Sequence, residues 1–572
     1  MNFGESLHSS IMKSFSVLLA LVLTAFGAVA QTDTNAPTAP ADANTAVAPN
    51  GVAVQADPKA AVAPAEPNAP VTQTYTNPVV IPTNTMASAA TRPMSLQDCI
   101  QAALRHNLDV QISRYDPQIQ LFTLNANYGG YDPTLSLSGQ YSYDKSGAFI
   151  QDNQIVLPTT SKSDSFSGGF SGGTPWGMTY NLGSGSQNGG PANFSETWGQ
   201  KSLGTFTTNF DSSSGSVGLT LTQPLLQNFW MDKTRLGIRV GKNRLQYSEQ
   251  GLRLQLINSI NQVENAYYEL IYAQENLKVQ EEALVLAQTQ LDQDRQRVQI
   301  GTLSPLDVQQ DEAQVATSKA NLITAQYTLA ANQNTLKNLL TDQYRQWHET
   351  DVQPTESITN APLQLFDLQD SWNKGMNMRP DLVQSRLNVE QQGIQLKFDY
   401  NQLFPELDLI GSYGFNGSGK EYSDVFSQIN EANRPFYSIG GQLTMPLSNI
   451  GPRNSYKASK VTMQQLLLKL KQFEQNVMVE IDNAVKNARS TYESVGATRQ
   501  ARIFAEAALD AEQKRYAVGK STTFTVLQLQ NTLTADRGQE IRALANYYEA
   551  LATLAQKEGS TLQRYRIDVE IK

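Results

Sequence analysis

The residue types that most often carry catalysis or bind metals are few in this chain and widely spaced. The sequence has one cysteine, Cys99, and three histidines, His8, His106 and His348. A zinc site needs several cysteine or histidine ligands at close spacing, and nucleophilic catalysis needs a serine or cysteine with a base beside it. Neither pattern is present, so we predict no catalytic residue, no metal site and no cofactor.

Charged residues recur instead in two short motifs that resemble each other. The run Arg297–Gly301 reads Arg-Val-Gln-Ile-Gly, and the run Arg515–Gly519 reads Arg-Tyr-Ala-Val-Gly. Glycine ends helices readily because it adopts positive φ without strain. After the first motif, Ser304, Pro305 and Asp307 have the spacing of a helix N-cap, first-turn proline and capping box. Each motif therefore predicts a tight turn between two helices.

Long heptad repeats lead into both turns. In the first, apolar residues recur every seven positions, at Leu256, Val263, Leu270, Leu277, Leu284, Leu291 and Val298. The alanines that form a second, narrower stripe beside it are Ala266, Ala273 and Ala287. The second repeat has Ile481, Ala488, Val495, Leu509 and Tyr516, with Arg502 interrupting the series. This period is typical of coiled coils, and a helix that starts near Lys233 would be about 100 Å long.

Four segments alternate between apolar and polar residues. They are Pro133–Tyr143, Val217–Thr222, Leu407–Phe415 and Tyr437–Met445. Such alternation predicts strands with one apolar face, and its length matches transmembrane strands. Pro224 and Pro446 end the second strand of each pair. The glycine-rich stretch Gly168–Gly190 resembles no phosphate-binding loop and is predicted to be a solvent-exposed loop.

The number of predicted strands determines the predicted architecture. Four strands cannot close a barrel, and an open sheet edge is not stable in lipid. We therefore predict a mainly α fold with transmembrane β structure and two internal structural repeats. Long antiparallel coiled-coil helices form a cylinder, and four β-strands per chain contribute to a shared, trimeric, 12-stranded β-barrel.

The predicted domain boundaries follow from composition and from this repeat. Lys13, an apolar run and Ala28-Val29-Ala30 predict an export signal peptide at residues 1–30, with Met12 as an alternative start. The other predicted segments are an Ala/Pro/Thr-rich disordered linker at 31–93, a first repeat at 94–345, a connector at 346–366, a second repeat at 367–560 and a C-terminal tail at 561–572. The formal charge of −9 and the lack of long basic faces predict no nucleic-acid partner.

From Met94 onward, the chain resembles the TolC-like outer-membrane efflux protein family, also called outer membrane factors. The resemblance rests on the duplicated helix-strand-strand-helix order, the run Arg379-Pro380-Asp381-Leu382, Pro224 and Pro446, and the two Arg-x-x-x-Gly turns. It implies a homotrimer in the cell outer membrane, with a tunnel projecting into the periplasm and an equatorial belt that 342–366 could join. It also implies a passive exit duct of a tripartite efflux or type I secretion system. The implied partners are outer-membrane lipid, a periplasmic adaptor (membrane fusion protein) and an inner-membrane transporter of RND, ABC or MFS type.

The resemblance also implies two sites at the turns. The residues implied to form a periplasmic gate are Asp307, Asp311, Arg297, Arg515, Tyr516, Thr525 and Gln528. Within this set, Asp307 and Tyr516 match a pair that hydrogen-bonds between helices in the closed state, whereas Thr525 and Gln528 replace acidic residues that form constriction rings. The residues implied to dock the adaptor are Gly301, Thr302, Gly519 and Lys520.

Simpler interpretations of two gate residues, and two other protein classes, remain open from the sequence. Asp307 could only cap its helix, and Tyr516 could only be a seam residue. A secreted coiled-coil structural protein or adhesin would explain the heptads but not the repeated strands. An outer-membrane enzyme would need a catalytic cluster, and the sequence offers none.

Overall fold

The computed structural model describes residues 90–147, 149–151, 154–156, 159–183, 192–203, 206–358, 360–362, 364 and 366–568. The predicted signal peptide and all of the predicted linker up to residue 89 lie outside the described residues.

Helices dominate the described part of the chain. They are α1 (Leu96–His106), α2 (Leu108–Tyr128), α3 (Lys233–Gln299), α4 (Pro305–Leu340), α5 (Tyr344–Trp347), α6 (Leu368–Met378), α7 (Pro380–Asn401), α8 (Tyr422–Asn430), α9 (Ile450–Ala517), α10 (Thr523–Glu558) and α11 (Thr561–Arg564). Within the described residues, no helix has an apolar stretch long enough to cross a bilayer.

The first long hairpin consists of α3 and α4. Helix α3 has 67 residues and begins at the predicted position, where the Asp232 side chain accepts a hydrogen bond from the Arg235 backbone N–H at 2.7 Å. It ends before Gly301, which has φ of 76°. Ser304 and Asp307 then form the predicted capping box at the start of α4. The heptad pattern and its caps thus predicted this hairpin correctly.

The second long hairpin, α9 and α10, repeats the same turn. Gly519 has φ of 72°, and the Thr522 hydroxyl accepts from the Thr525 backbone N–H at the start of α10. In both turns the residue after the glycine donates its backbone N–H to the carbonyl of the motif arginine. Lys520 bonds to Arg515 at 2.9 Å, and Thr302 bonds to Arg297 at 2.9 Å. Both hairpins therefore close through the same glycine-dependent helix ending.

The largest apolar core lies midway along the long helices. Tyr267, Leu270, Ala488 and Tyr547 are fully buried there. Two short parallel strands, β1 (Ala90–Met94) and β9 (Thr350–Pro354), pair beside this core. The predicted disordered linker, 31–93, is therefore wrong for its last four residues, because pairing with β9 orders them. The predicted connector contains β9, and Tyr565 and Ile567 of the predicted tail pack against the same core.

Two buried polar residues break the shorter helices at corresponding places. The chain bends at Asn107, between α1 and α2, where the Asn107 side chain accepts backbone N–H groups of Asp109 and Val110. Between α6 and α7 the corresponding residue is Arg379. Its guanidinium lies 2.6 Å from Asp381 and 2.9 Å from Glu480. The Arg-Pro-Asp-Leu run therefore ties the start of α7 to α9.

Most of the strands belong to one antiparallel sheet. The strands after β1 are β2 (Thr134–Lys145), β3 (Phe149–Gln151), β4 (Gln154–Val156), β5 (Thr160–Gly173), β6 (Thr179–Leu182), β7 (Ala192–Leu203), β8 (Phe206–Pro224), β9, β10 (Glu406–Gly419) and β11 (Pro435–Thr444). The order across the main sheet is β11-β10-β8-β6-β5-β2, and β7 also pairs with β5 and β8. Strands β3 and β4 form a separate hairpin.

This sheet corrects the prediction of four strands per chain. The four predicted strands are present as β2, β8, β10 and β11, but β5, β6 and β7 insert between β2 and β8. The glycine-rich stretch Gly168–Gly190, predicted as a solvent-exposed loop, contributes to β5 and contains β6. Backbone pairing with β2 and β8 fixes these residues in strands although glycine and serine have low strand propensity.

The second strand connection also differs from a plain loop. It contains α8, whose Val425 and Ile429 are buried against the sheet. Phe166 and Phe194 on the sheet stack with their ring centroids 4.9 Å apart, and Phe426 of α8 lies 4.8 Å from Phe194. An aromatic cluster therefore holds α8 against β5 and β7.

Candidate functional site at the helical turns

The two turns expose backbone and apolar side chains in the same pattern. Ile300 and Val518, which precede the turn glycines, are 74% and 67% exposed. Leu306 and Phe524, each five residues after its glycine, are also exposed. No heavy atom outside the chain neighbours lies within 4 Å of a Cβ built at either glycine. Each turn thus presents an accessible backbone segment between two apolar side chains.

A buried carboxylate, Asp294, joins the two hairpins close to the turns. It has no exposed surface. The Tyr516 hydroxyl donates to it, 2.8 Å from both carboxylate oxygens, and Gln290 Nε2 donates at 2.7 Å. A buried carboxylate is stable only when such donors replace water. The contact therefore fixes α9 of the second hairpin to α3 of the first.

The groups around this contact favour a neutral, proton-donating Tyr516. Arg297 Nη1 lies 3.7 Å from Asp294, and its guanidinium lies over the Tyr516 ring, 4.5 Å from the centroid. Burial raises the pKa of Tyr516 to about 12, so its hydroxyl keeps its proton and donates. Thr523 Oγ1 lies 2.9 Å from the same hydroxyl.

A second buried carboxyl, Asp311 on α4, faces Asp294. Asp311 is fully buried, and no described residue donates a hydrogen bond to either of its oxygens. Burial, followed by the nearby Asp294 and Asp307 carboxylates, raises the pKa of Asp311 to about 7. Two carboxyls that share a dry site keep one proton between them. A protonated Asp311 donates that proton to Asp294 and connects α4 to the same contact.

The predicted pairing of Asp307 with Tyr516 is not formed within the chain. The Asp307 carboxylate turns back to accept the Ser304 backbone N–H at 3.3 Å, so Asp307 caps α4. Tyr516 is both a buried seam residue and a hydrogen-bond donor, with Asp294 as its partner. Arg515 is exposed and pairs with Glu512 at 2.9 Å.

The two positions predicted to replace acidic rings carry neutral polar groups in accessible places. The Thr525 hydroxyl lies 3.0 Å from that of Thr522. Gln528 is exposed beside an open groove between α4 and α10. Across this groove, Gln314 and Asn531 exchange amide hydrogen bonds of 2.7 and 3.1 Å. The groove surface near Gln528 is therefore amide-lined and uncharged.

Sequence reasoning missed Asp294, Gln290 and Thr523. The signal for Asp294 was partly present, because it continues the heptad series of Ala266, Ala273 and Ala287, which Gln280 interrupts. An acid in such a stripe is buried unless the helix turns away. The pairing across 222 residues between Asp294 and Tyr516 has no comparable signal in the sequence.

A second polar layer explains the predicted interruption of the seam at Arg502. Its guanidinium bonds to Glu540 of α10 and lies 2.9 Å from Glu506. Arg537 bridges Glu506 at 3.0 Å and Glu282 of α3 at 2.7 Å. These ion pairs link three long helices between the central core and the turns.

Comparison with known proteins finds relatives for this arrangement. The family model described as outer membrane efflux protein matches residues 184–341 and 375–560. The outer membrane protein TolC of Escherichia coli (strain K12) is 26% identical over 364 residues, which are 61% of this chain and 71% of TolC. The outer membrane efflux protein BepC of Brucella suis is 23% identical over 327 residues, 56% of this chain and 67% of BepC.

Solved structures share the fold at low identity. The outer-membrane channel OprN superposes with a TM-score of 0.60 and 15% identity, covering 81% of this chain and 90% of OprN. The CmeC outer membrane channel of Campylobacter jejuni gives a TM-score of 0.58 and 15% identity, with coverage of 81% and 85%. The fold is thus that of outer-membrane channels.

Because the family model matches more than half of the chain, this protein belongs to the outer membrane efflux protein family. That membership confirms the resemblance drawn from the repeated motifs. The relatives are outer-membrane channel and efflux proteins, so neither the enzyme nor the secreted adhesin is favoured.

Proposed function

We propose that three copies of this chain form a passive exit duct through the outer membrane and across the periplasm. Family membership supports the channel, and the open sheet supports the assembly. Strands β2 and β11 are the two ends of the strand order, so one chain does not close its own sheet. An unpaired strand edge in lipid is costly, and neighbouring copies can satisfy both edges.

The periplasmic tunnel is built from the two hairpins. Helices of 67 and 68 residues extend about 100 Å each. The proposed repeats, 94–345 and 367–560, supply one hairpin apiece. In each, a broken helix, a set of sheet strands, a long helix and a return helix follow in the same order, with β5, β6 and β7 as additional strands in the first repeat. The proposed equatorial connector, 346–366, contains β9 beside the largest core.

The contact around Asp294 is the proposed latch that keeps the tunnel end closed. Tyr516 and Asp311 tie α9 and α4 to α3 there, and Arg297 closes the site from one side. The remaining proposed gate residues lie at accessible positions near the turns and are Asp307, Arg515, Thr525 and Gln528.

A periplasmic adaptor is proposed to dock on the two turns. Gly301, Thr302, Gly519 and Lys520 provide exposed backbone, and the apolar side chains beside them provide area that binding can bury. Docking would pull the hairpins apart at the latch. An inner-membrane transporter of RND, ABC or MFS type would supply the energy, because the chain has no nucleotide-binding loop.

The apolar sheet face with two open edges is the single observation that carries this proposal. Purification of the full chain from outer membranes in detergent is expected to give a particle of three 62.9 kDa chains, apart from the removed signal peptide, that conducts ions in planar bilayers. A monodisperse monomer, or a trimer that forms no channel, would contradict it.

A further inference from the structure

The sheet of this chain spans six strand positions, not the four predicted from its sequence. We infer that the free edges of β2 and β11 pair with those of second and third copies, and that the closed wall contains eighteen strands, three copies of six positions. This inference rests on the proposed trimer, and it predicts the diameter of the trimer's barrel from the number of strand positions in one chain.

Hydrogen-bond register places β6 and β7 in one strand position between β5 and β8. Residues 179–182 pair with the lower part of β5 and with Leu219–Thr222 of β8. Residues 192–203 pair with the upper part of β5 and with the first half of β8. The Gly183 N–H donates to the Gly218 carbonyl at 2.7 Å, and a Cβ built on Gly183 would lie 3.4 Å from Ala192 N. Strand β7 therefore begins where β6 ends, and β2 and β8 are separated by two strand positions.

Side-chain chemistry is continuous across all six positions. One row of paired residues is apolar in every strand: Leu135, Phe170, Leu182, Leu219, Tyr413 and Tyr437. The adjacent row points to the other face and is polar in every strand: Thr134, Ser171, Asn181, Thr220, Ser412 and Ser438. Opposite faces with these chemistries match a wall between lipid and water. If β5, β6 and β7 lay outside the barrel wall, their apolar and polar residues would not need to align with those of β2 and β8.

The polar face also bonds from strand to strand. The hydroxyls of Ser138 and Ser167 lie 2.7 Å apart across β2 and β5. Those of Ser412 and Ser438 lie 2.6 Å apart across β10 and β11. Both the inserted strands and the original strands therefore use the same cross-strand contact.

The turn between β5 and β6 ends at the level expected of a membrane interface. Thr174 and Met178 close it through a 2.8 Å backbone bond, and Trp176 at its apex is 59% exposed. Trp230 and Phe229, just before α3, are exposed at the same end of the sheet, where a Cβ on Gly177 would lie 3.3 Å from the Asn228 carbonyl. Exposed aromatic residues at the end of transmembrane strands form interfacial girdles.

The six strand positions of one chain cannot close into a barrel by themselves, because the smallest membrane barrels have eight strands. Barrel diameter grows roughly in proportion to strand number, so eighteen strands make a wall about 1.5-fold wider than twelve. The small hydroxyl, amide and glycine side chains on the inner face leave that width open to water. The duct mouth therefore admits uncharged solutes about 1.5-fold wider than a twelve-strand wall would admit.

Cysteine pairs test the strand order in the outer membrane of intact cells. In the full chain, Ser138→Cys with Ser167→Cys joins directly paired residues of β2 and β5 and is expected to form an intrachain disulfide under mild oxidation. The matched control, Ser138→Cys with Ser216→Cys, joins β2 to β8 on the same row. These strands are three spacings apart, about 14 Å, which is beyond disulfide reach. The native Cys99 is buried and does not compete.

A density map of the lipid-embedded trimer gives the strand count directly, and a shortened chain tests the width. Removal of residues 147–205 joins β2 directly to β8. The largest polymer that enters this shortened channel from the outer face is expected to have about two thirds of the diameter that the full-length channel admits. Eighteen strands with the Ser138/Ser167 crosslink support the inference. A conducting trimer with twelve strands, or one that crosslinks Ser138 to Ser216, overturns the inference and leaves the proposed function intact. A chain that forms no trimer overturns both.

Discussion

Protonation of Asp311 is expected to control how firmly the tunnel end is closed. Its pKa of about 7 lies far above the usual value near 4 because burial and two neighbouring carboxylates disfavour its charge. The groups that face it are Asp294 and Asp307, with Arg297 and Tyr516 on the far side of Asp294. The closed state binds more protons than an open state in which Asp311 meets water. Closure is therefore strongest at low pH and weakens as pH rises from about 4 to about 7.

The raised pKa of Asp311 determines how strongly closure depends on pH. Each pKa unit corresponds to about 1.4 kcal/mol, so the closed state loses about 2 to 3 kcal/mol per copy between pH 5 and pH 8 if opening fully exposes Asp311. Partial exposure of Asp311 in the open state gives a smaller loss. Three copies around one tunnel act together, so a fraction of this energy is enough to change the open population several-fold.

Asp311→Asn isolates the effect because the amide stays neutral and still donates to Asp294. Wild-type conductance in planar bilayers is expected to rise between pH 5 and pH 8, whereas the variant remains at the low, acid-like level throughout. Asp307→Asn is the comparison variant, one helical turn away at the cap; it removes the smaller of the two neighbouring charges and is expected to reduce the pH dependence only in part. The reasoning is refuted if Asp311→Asn keeps the wild-type pH dependence, or if Asp307→Asn abolishes it equally.

Three further perturbations test the packing. Tyr516→Phe removes the hydroxyl donor to buried Asp294 and should destabilise the closed state by about 1.5 to 3 kcal/mol per copy. Conductance should therefore rise at every pH. Unchanged conductance would show that this contact does not hold the gate closed. Arg379→Met removes the buried guanidinium that bonds to Asp381 and Glu480, while Glu480 keeps its pair with Lys557. It should lower the free energy of unfolding by about 1 to 3 kcal/mol, and exposed Arg386→Met by less than about 1 kcal/mol. Equal losses in thermal unfolding would contradict the assigned role. Gly519→Ala should destabilise its turn by about 1 kcal/mol because φ is positive, whereas Gly496→Ala in open space on α9 should stabilise the helix by about 0.5 to 1 kcal/mol. Hydrogen exchange should therefore become faster around the turn of Gly519 and slower around Gly496. Unchanged or slower exchange at the turn in Gly519→Ala would contradict the turn assignment.

Periodicity predicted the long hairpins because the same apolar seam recurs every seven residues from Leu256 to Val298 and, with one interruption, from Ile481 to Tyr516. The caps at Ser304 and the glycine turns were equally local and equally readable. Strands β5 to β7 were not, since their apolar face contains Phe166, Gly168 and Phe170 separated by serine and glycine. Glycine and serine carry little hydrophobic or β signal, and only pairing with β2 and β8 reveals the alternation.

The candidate site was predicted in position but not in its partners. Sequence placed Asp307, Asp311, Arg297 and Tyr516 near the turns, and the structure brings all but Asp307 to one buried contact. Asp307 is held away by its own cap, which is a local bond and therefore available before the hairpins meet. Which acid receives the Tyr516 hydroxyl depends on the rotation of α9 against α3, and that is set by packing along the whole helix.

The distribution of buried polar groups along the two hairpins indicates where the proposed tunnel opens first. At the centre, aromatic and aliphatic residues such as Tyr267, Leu270 and Leu336 form the largest core. Toward the turns the seam contains charged residues, first around Arg502 and then at Asp294 and Asp311. Each buried charge there gains less from packing than an apolar residue would and depends on one or two specific donors. Local opening requires the loss of few apolar contacts in such a region. In the proposed duct, opening is therefore expected to start at the turns and to stop where the central apolar core begins, so an adaptor that breaks the Asp294 contact would widen the end without unfolding the long helices.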